Sequence, residues 1–281
     1  MVENSIYSCF LVSEFLAAFA GDEVFFGVLT VERMPGPDIL KGRERFHADC
    51  CGETDWDDEK VKEWERLYQP LDAAGQAMIE QYGLPVFSMS HHSNTVFLGD
   101  GVNGAQALDQ AAALFSKSQP WLVTYVPKLF KPWWIELSDS RIVNCHSAVL
   151  PYARGVHEIE NMAAKRDIEA FRRAAGVTIH YIDKGVDTGP IIRAERLADP
   201  FEWQSLWELK ACLYQTGIDC YVRTVKDIME QPHTVPAGIC PSKELMGPNF
   251  RRKDFTEDRR RQAEEGYSWM RRRHLLECVV S

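Results

Sequence analysis

Apolar residues recur at helical spacing from Ser13 to Ala20, and Glu23 to Val31 (EVFFGVLTV) is a compact β-branched and aromatic run of strand length. The chain is therefore expected to open with a helix followed by a buried strand. Met34-Pro35-Gly36-Pro37 is a turn cluster. From His47 to Arg66 eight acids stand against three bases, which predicts a solvated segment. The pattern then predicts a helix over Leu71 to Tyr82, a turn into a strand over Gly83 to Phe87, a helix over Ala105 to Phe115 and a strand over Trp121 to Tyr125. Next come a strand from Arg141 to Cys145, a helix from Val156 to Ala175 and a strand from Val177 to Ile182. Alternation of helices with short apolar strands is the mark of an α/β domain. Ligands of open α/β sheets lie beyond the carboxyl ends of strands, so the residues after Val143 and after Ile182 are the first to inspect. From Phe201 onward the spacing of Trp203, Leu206, Trp207, Leu209, Leu213 and Tyr214 is helical, and the chain finishes in an Arg-rich tail with the look of an appended element.

The 281 residues, 45% hydrophobic and 26% charged, have the balance of a soluble globular chain and exclude collagenous, disordered and membrane-spanning classes. With 32 basic and 41 acidic residues the net charge is −9, which disfavours a generic grip on phosphate backbones and hence nucleic acid as main partner. The eight cysteines include no C-x-x-C pair, so neither a disulfide framework nor a zinc ribbon is indicated and reduced thiols are expected. The apolar stretch Ile6 to Ala20 is interrupted by Glu14 and preceded by Glu3, wrong for a signal peptide and too short for a bilayer. The expected location is cytoplasmic, with no membrane partner.

Several motifs compete for a chemical role. Gly99-Asp100-Gly101-Val102-Asn103-Gly104 matches G-x-G-x-x-G between an apolar run and a helix. The acid that would hold a ribose hydroxyl about 20 residues on is missing, so a helix-capping turn is the better reading. His91-His92, and His47 with Asp49, Cys50 and Cys51, carry metal-capable side chains, but neither set has the spacing to place three ligands around one ion, and no metal is expected. The loop from Met89 to Asn94 is polar and is also a candidate lining for a substrate cleft. In the tail, arginines 251, 252, 259–261 and 271–273 alternate with Glu257, Asp258, Glu264 and Glu265, as on a solvated helix face laced with ion pairs.

The richest stretch runs from 141 to 192: R-I-V-Asn144-C-His146-S-A-V-L-P-Y-A-R-G, then G-V-T-I-H-Y-I-D-K-G-V-Asp187-T-G-P-I-I. Two residues apart on an extended backbone, Asn144 and His146 point the same way. An amide donor and an imidazole so placed make a cradle for an oxyanion forming on a carbonyl, with His146 also able to relay a proton. Asp187, after the second strand, would favour the charged form of His146. A capping Asn, a buried satisfied His and a turn Asp account for the same residues equally well.

The run N-C-H-S-A-V-L-P-Y-A-R-G resembles the N-x-H-x-S-L-L-P-x-x-x-G signature of the folate-dependent formyltransferases, which include methionyl-tRNA and glycinamide ribonucleotide formyltransferases. The run G-V-T-I-H-Y-I-D-K-G-V-D-T-G-P-I-I is similar to that family's second signature, and Pro120 to Trp134 to its preceding strand and loop. The resemblance implies a Rossmann-like α/β catalytic domain with a mostly parallel sheet over residues 1–200, followed by a helical C-terminal extension over 201–281. It implies 10-formyltetrahydrofolate as co-substrate and carries the family's catalytic trio onto Asn144, His146 and Asp187. Asn144 and cationic His146 would stabilise the oxyanion, and Asp187 would hold the charge of His146 and help move a proton. More loosely, Val126, Lys128, Leu129 and Phe130 fall where the family lines its pterin cleft. The turn carrying Lys184 and Val186 falls where backbone groups pair with the ring.

Departures from the family pattern matter for the acceptor. Ser147-Ala148 stands where the family usually has Pro-Ser, and the segment from Gly155 to Gly176 is longer than the resemblance leads one to expect. The family's first strand is not evident before Ser5 unless Ile6 to Val12 serves. A basic β-barrel, as in relatives acting on initiator tRNA, and the phosphate loop of the purine-pathway relatives are both missing. The expected acceptor is thus a small-molecule amine or hydroxylamine: an amino sugar nucleotide or a hydroxyornithine-like amino acid in specialised biosynthesis. Formyltetrahydrofolate hydrolase, with water as acceptor, and an inert folate-binding module are the alternatives. A homodimer is left open.

Overall fold

The computed structural model describes residues 1–20, 27–99, 101–116, 120–231 and 234–280. Its contacts divide the chain into two compact units, Met1–Asn144 and Cys145–Ser281.

The first unit opens with α1 (Ile6–Ala18), capped by the Ser5 hydroxyl accepting from the Ser8 amide at 3.4 Å. Ile6, Cys9, Phe10, Leu11, Val12 and Phe15 are buried along it, as suits a core helix apolar on most sides. Ile6 to Val12 is therefore helix rather than the family's first strand. Strand β1 (Val28–Thr30) follows, and Glu23 to Phe26 of the expected strand lie outside the described residues. Helices α2 (Pro37–Cys50), α3 (Asp58–Leu67) and α4 (Ala73–Tyr82) come next. The acid-rich segment is solvated on its charged side only: Trp64 and Leu67 form an apolar edge that buries α3, with Trp64 stacked on Tyr68 at 4.1 Å. Gly83 to Phe87 does not form a strand. Leu84 makes a single bridge to Cys51, and Pro85 supplies no amide to extend it.

Strand β2 (Thr95–Phe97) pairs parallel with β1, and helix α5 (Ala105–Phe115) has the bounds its pattern predicted. Strand β3 (Leu122–Thr124), helix α6 (Pro132–Leu137) and strand β4 (Ile142–His146) complete the unit, with β3 and β4 parallel in the register Thr124 to Asn144. Val2 bridges in parallel to both Thr30 and Tyr125, linking the two pairs through one residue.

In the second unit β4 ends at His146, followed by β5 (Arg154–Gly155), α7 (Glu158–Ala163) and α8 (Ile168–Ala174). The single helix expected over Val156 to Ala175 is thus two. Arg166 takes a left-handed conformation (φ 57°), and the Asp167 side chain caps α8 by accepting from the Ala170 amide at 3.0 Å, so one helix stops and another starts. Strand β6 (Gly176–Tyr181) is buried at every residue and pairs antiparallel with β7 (Ile191–Arg196). The long helix α9 (Leu206–Glu230) starts at a side-chain cap: the Ser205 hydroxyl accepts from the Glu208 amide at 3.1 Å, and the Glu208 carboxylate accepts from the amide of Gln204, just before the cap. It packs on β6. Strand β8 (Asn249–Phe250) pairs parallel with β5, and helix α10 (Glu257–Val280) lies on α7.

The tail is more than a solvated face. Gly266 lets α10 meet the carbonyl of Ala163, and Ala263, Tyr267 and Met270 are fully buried, while Arg260–Glu264 and Arg273–Glu277 line the wet side. No helix among the described residues is long and apolar enough to cross a membrane.

Candidate formyl-transfer site

His146 ends β4, and its ring is 5% exposed. Nε2–H donates to the Ala153 carbonyl at 2.9 Å, which turns Nδ1 toward Asp187 Oδ2 at 3.7 Å. That gap is too wide for a direct hydrogen bond. Asp187 follows β6 by a turn and takes a left-handed backbone (φ 50°), a conformation an Asp tolerates better than most residues. Its Oδ2 accepts from the Gly155 amide at 2.7 Å. Gly155 itself sits at φ 96° against the Phe250 carbonyl, where a Cβ would collide, so glycine is required there. The β5–β8 pairing thereby braces the loop that carries Asp187. The turn is closed from within by Asp183, which accepts from Thr188 Oγ1 at 2.7 Å and from the Gly185 amide at 2.9 Å.

A second imidazole faces the same carboxylate. His180, 3% exposed on β6, places Nε2 at 3.7 Å from Asp187 Oδ1, while its Nδ1–H donates to the Tyr181 carbonyl at 2.9 Å. Burial lowers its pKa to about 4; the Asp187 carboxylate pulls the other way and His146 adds to the lowering. At neutral pH His180 is thus a neutral ring, and Asp187 lies between two imidazoles whose planes cross at 85°. Thr178, two residues earlier on β6, accepts from the Leu150 amide and donates to the Ala148 carbonyl, both at 2.9 Å, fixing the loop after His146.

Asn144 stands two residues before His146 on β4 and on the same face. Thr124 Oγ1 lies 3.0 Å from the Val143 carbonyl and 3.3 Å from Asn144 Oδ1, which orients the amide. Val126 is buried, while Lys128, Leu129 and Phe130 follow it in the loop between β3 and α6. Asn103 pins that loop, donating to the Leu129 carbonyl at 2.7 Å and accepting from the Lys131 amide at 2.8 Å, and leaves the Leu129 side chain 65% exposed. Lys184, exposed, and Val186, half-buried, sit in the turn between β6 and β7, where Arg154 Nη1 approaches the Val186 carbonyl at 3.5 Å.

The competing motifs resolve as local structure. Gly104 is the N-cap of α5, and Gly99 turns the chain out of β2 at φ 77°; Asp100 lies outside the described residues. His47 donates to the Pro85 carbonyl and accepts from Tyr68, and His92 Nδ1 accepts from the Asn94 amide at 3.1 Å. Among the described residues no group of three His, Cys, Asp or Glu side chains is placed to hold a metal ion.

Sequence reasoning assigned no role to His180, to Thr178 or to a buried charge cluster of Glu158, Glu160 and Lys210. For the first two a signal existed: polar residues two apart inside an otherwise apolar strand occupy one face of it. The last had none, since its carboxylates and its ammonium come from helices fifty residues apart.

In the second unit the Asp187 carboxylate thus faces two buried imidazoles, an arrangement able to hold and pass a proton on an α/β scaffold. The formyl transferase family profile matches residues 59–200, half of the chain, and the chain belongs to that family. It is 31% identical over 121 residues to the methionyl-tRNA formyltransferase of Dichelobacter nodosus, covering 42% of this chain and 36% of that protein. It is 29% identical over 98 residues to the phosphoribosylglycinamide formyltransferase of Bacillus subtilis, covering 34% of this chain and 46% of that one. The chain thus spans less than half the length of either relative. In fold it is similar to the N-formyltransferase of Helicobacter canadensis, whose structure holds folinic acid and dTDP-3-aminofucose. The TM-score is 0.51 at 12% identity, over 95% of this chain and 78% of that one. The Rossmann-like reading of the fold, with mostly parallel strands and a helical C-terminal end, agrees with this likeness.

Proposed function

We propose that the protein is a cytoplasmic biosynthetic transferase that moves a formyl group from 10-formyltetrahydrofolate to the amine or hydroxylamine of a small molecule. Residues 1–200 would form the catalytic domain and 201–281 its helical extension. The observation that carries this reading is the shared Asp187 carboxylate facing His146 Nδ1 and His180 Nε2 across 3.7 Å each. Such a gap between buried partners lets His146 Nδ1 tighten onto a substrate atom, as catalytic hydrogen bonds do when the complex forms. The donor supplies a formyl carbon activated on nitrogen. Asn144 and His146 are the hydrogen-bond donors for the negative charge that develops on the formyl oxygen when the acceptor nitrogen attacks. His146 can donate from Nδ1 only when doubly protonated, because Nε2–H is committed to Ala153. Asp187 stabilises that cation and accepts the proton shed by the acceptor nitrogen, returning it to the donor nitrogen as the carbon–nitrogen bond breaks. Neutral His180, its one N–H given to the Tyr181 carbonyl, walls off the other carboxylate oxygen without donating to it.

The donor would lie against Val126, Lys128, Leu129 and Phe130 and the turn of Lys184 and Val186. An exposed leucine on a pinned loop and a turn with its own internal hydrogen bonds suit an apolar face closed by backbone polar groups, which a flat heterocycle needs. The acceptor proposed is an amino sugar nucleotide or a hydroxyornithine-like amino acid, because a net charge of −9 provides no generic grip on an RNA. A panel of amines incubated with 10-formyltetrahydrofolate and read by product mass tests this. A formylated small amine supports the reading, and folate release without any formylated amine would replace it by the hydrolase.

A further inference from the structure

Three consecutive residues at β5 hold the two ends of the site, and the middle one has a side chain with little to do. The Ala153 carbonyl accepts from His146 Nε2–H at 2.9 Å, and the Gly155 amide donates to Asp187 Oδ2 at 2.7 Å. Between them stands Arg154, half-buried, its backbone amide donating to the Pro248 carbonyl at 3.0 Å. Its guanidinium reaches the Val186 carbonyl from Nη1 at 3.5 Å and the Gly247 carbonyl from Nη2 at 3.3 Å. Nε is shut off from solvent and has no hydrogen-bond partner.

A guanidinium carries five N–H donors and a permanent positive charge. Here two of the donors meet carbonyls, both beyond the best hydrogen-bond distance. The carboxylates of the neighbouring turn are committed elsewhere, Asp183 to Thr188 and the Gly185 amide, Asp187 to the Gly155 amide. Among the described residues no carboxylate pairs with Arg154. Arg43 shows the closed case: its Nη1 and Nη2 sit on the two oxygens of Glu32 at 2.8 and 3.0 Å, and its Nε donates to the Leu67 carbonyl at 3.0 Å. A buried donor left without an acceptor, on a cation left without an anion, calls for a reason.

Resting on the formyl-transfer reading, the geometry points to Arg154 as a specificity-determining residue that receives an oxyanion of the acceptor, a phosphate or a carboxylate, and so sets the acceptor amine beside Asp187. The planar fork of a guanidinium takes such a group in two parallel hydrogen bonds. Because both present contacts are long, re-aiming the fork toward a ligand gives up little. Val186 is the residue before Asp187, so an anion held at this guanidinium lies at the turn whose carboxylate takes the proton from the attacking nitrogen. A chain of net charge −9 repels anions at large, and an anionic acceptor therefore needs a local cation. Both acceptor classes bring the group required: a sugar nucleotide carries a diphosphate and an amino acid a carboxylate.

Binding is read first, in the full chain without substrate. The Nε–H signal of Arg154 is followed by NMR in isotope-labelled arginine while pyrophosphate or acetate is added, against sodium chloride of equal ionic strength. Loss of the signal in Arg154→Met assigns it, and Arg154→Lys does so should the first variant not fold. Saturable movement is expected with an oxyanion and not with chloride; saturation at lower concentration by pyrophosphate assigns a phosphate source, and by acetate a carboxylate source. No saturable movement with either overturns the proposal. Turnover is read next, with an amine that the panel shows to be formylated. Arg154→Met should raise the acceptor KM about 10- to 100-fold, the loss expected for hydrogen bonds to a charged group, with the donor KM unchanged. Arg154→Lys keeps the charge without the fork and should raise it less. A guanidinium that only braced the Val186 carbonyl would, on removal, loosen the turn against which the donor lies, so a donor KM raised as much as the acceptor KM also overturns the proposal. Saturable binding in a protein that formylates no amine leaves the anion site standing and removes the functional reading, and formylation without saturable binding does the reverse.

Discussion

The protein buries histidine in two settings, and they differ in what they leave undone. His47 in the first unit, 1% exposed, has both ring nitrogens in short hydrogen bonds, 2.6 Å to the Pro85 carbonyl and 3.0 Å to the Tyr68 hydroxyl. Beside it Arg43 and Glu32 form a two-pronged pair at 2.8 and 3.0 Å, one charge against one. Every donor in that cluster has an acceptor at contact distance, so it is closed to a ligand. In the second unit His146 has one nitrogen satisfied and the other facing a carboxylate across 3.7 Å. Burial alone therefore says little about function. The open contact is what sets His146 apart from His47.

Substituting each histidine by alanine should divide the two settings most sharply. His146→Ala is expected to lower formyl transfer per folded molecule by at least 10² to 10³-fold, the usual consequence of losing a donor to a developing oxyanion. His47→Ala should act on stability alone. It strands the Tyr68 hydroxyl and the Pro85 carbonyl and opens a cavity, at a cost of about 3 kcal/mol in stability, while turnover per folded molecule is retained. Normal turnover in the His146 variant would refute its assignment.

Asp187→Asn comes next in size. An amide keeps the shape but not the charge that supports a proton on His146 Nδ1, so kcat should fall roughly 10- to 100-fold and the alkaline limb of its pH profile should move to lower pH. A reduced rate with an unshifted profile would take Asp187 out of the proton path and leave it a brace for Gly155.

How much of this the sequence disclosed depended on the range of the interactions. Ala105 to Phe115 and the strands around Leu122, Val143 and Ile179 were legible because periodicity and β-branching are local. So was the placing of Asn144 and His146 two residues apart on one strand, because both lie within one short motif. The break at Arg166 and Asp167 was missed because an apolar period continues through it, and a left-handed residue plus a cap ends the helix regardless. The edge made by Trp64 and Leu67 was hidden by the acids around it. His180 lay in the quoted motif, yet a polar residue in a buried strand reads as part of the run until its partner Asp187 is seen. Lys210 was unreadable: on a helical pattern it looks like a solvated base, and the carboxylates that make it a buried ion come from α7.

The two settings also share a property, which gives the smallest of the predicted effects. Burial, the larger cause in each case, lowers the pKa of His47 to about 4 and that of His180 to about 4, from an ordinary value of 6.5. Between pH 6.5 and 4 the unfolded chain binds protons at these rings that the folded chain refuses, so stability must fall as pH falls through that window and level off below it. From pH 7 to 5.5, before the carboxylates begin to titrate, each ring should contribute a loss of about 1 kcal/mol. Denaturant melts should thus show a decline across that interval that is smaller by about 1 kcal/mol in His47→Gln than in the unchanged protein. An equal decline in both proteins would mean that His47 takes up its proton within the fold, and that its cluster is less closed than the two short hydrogen bonds imply.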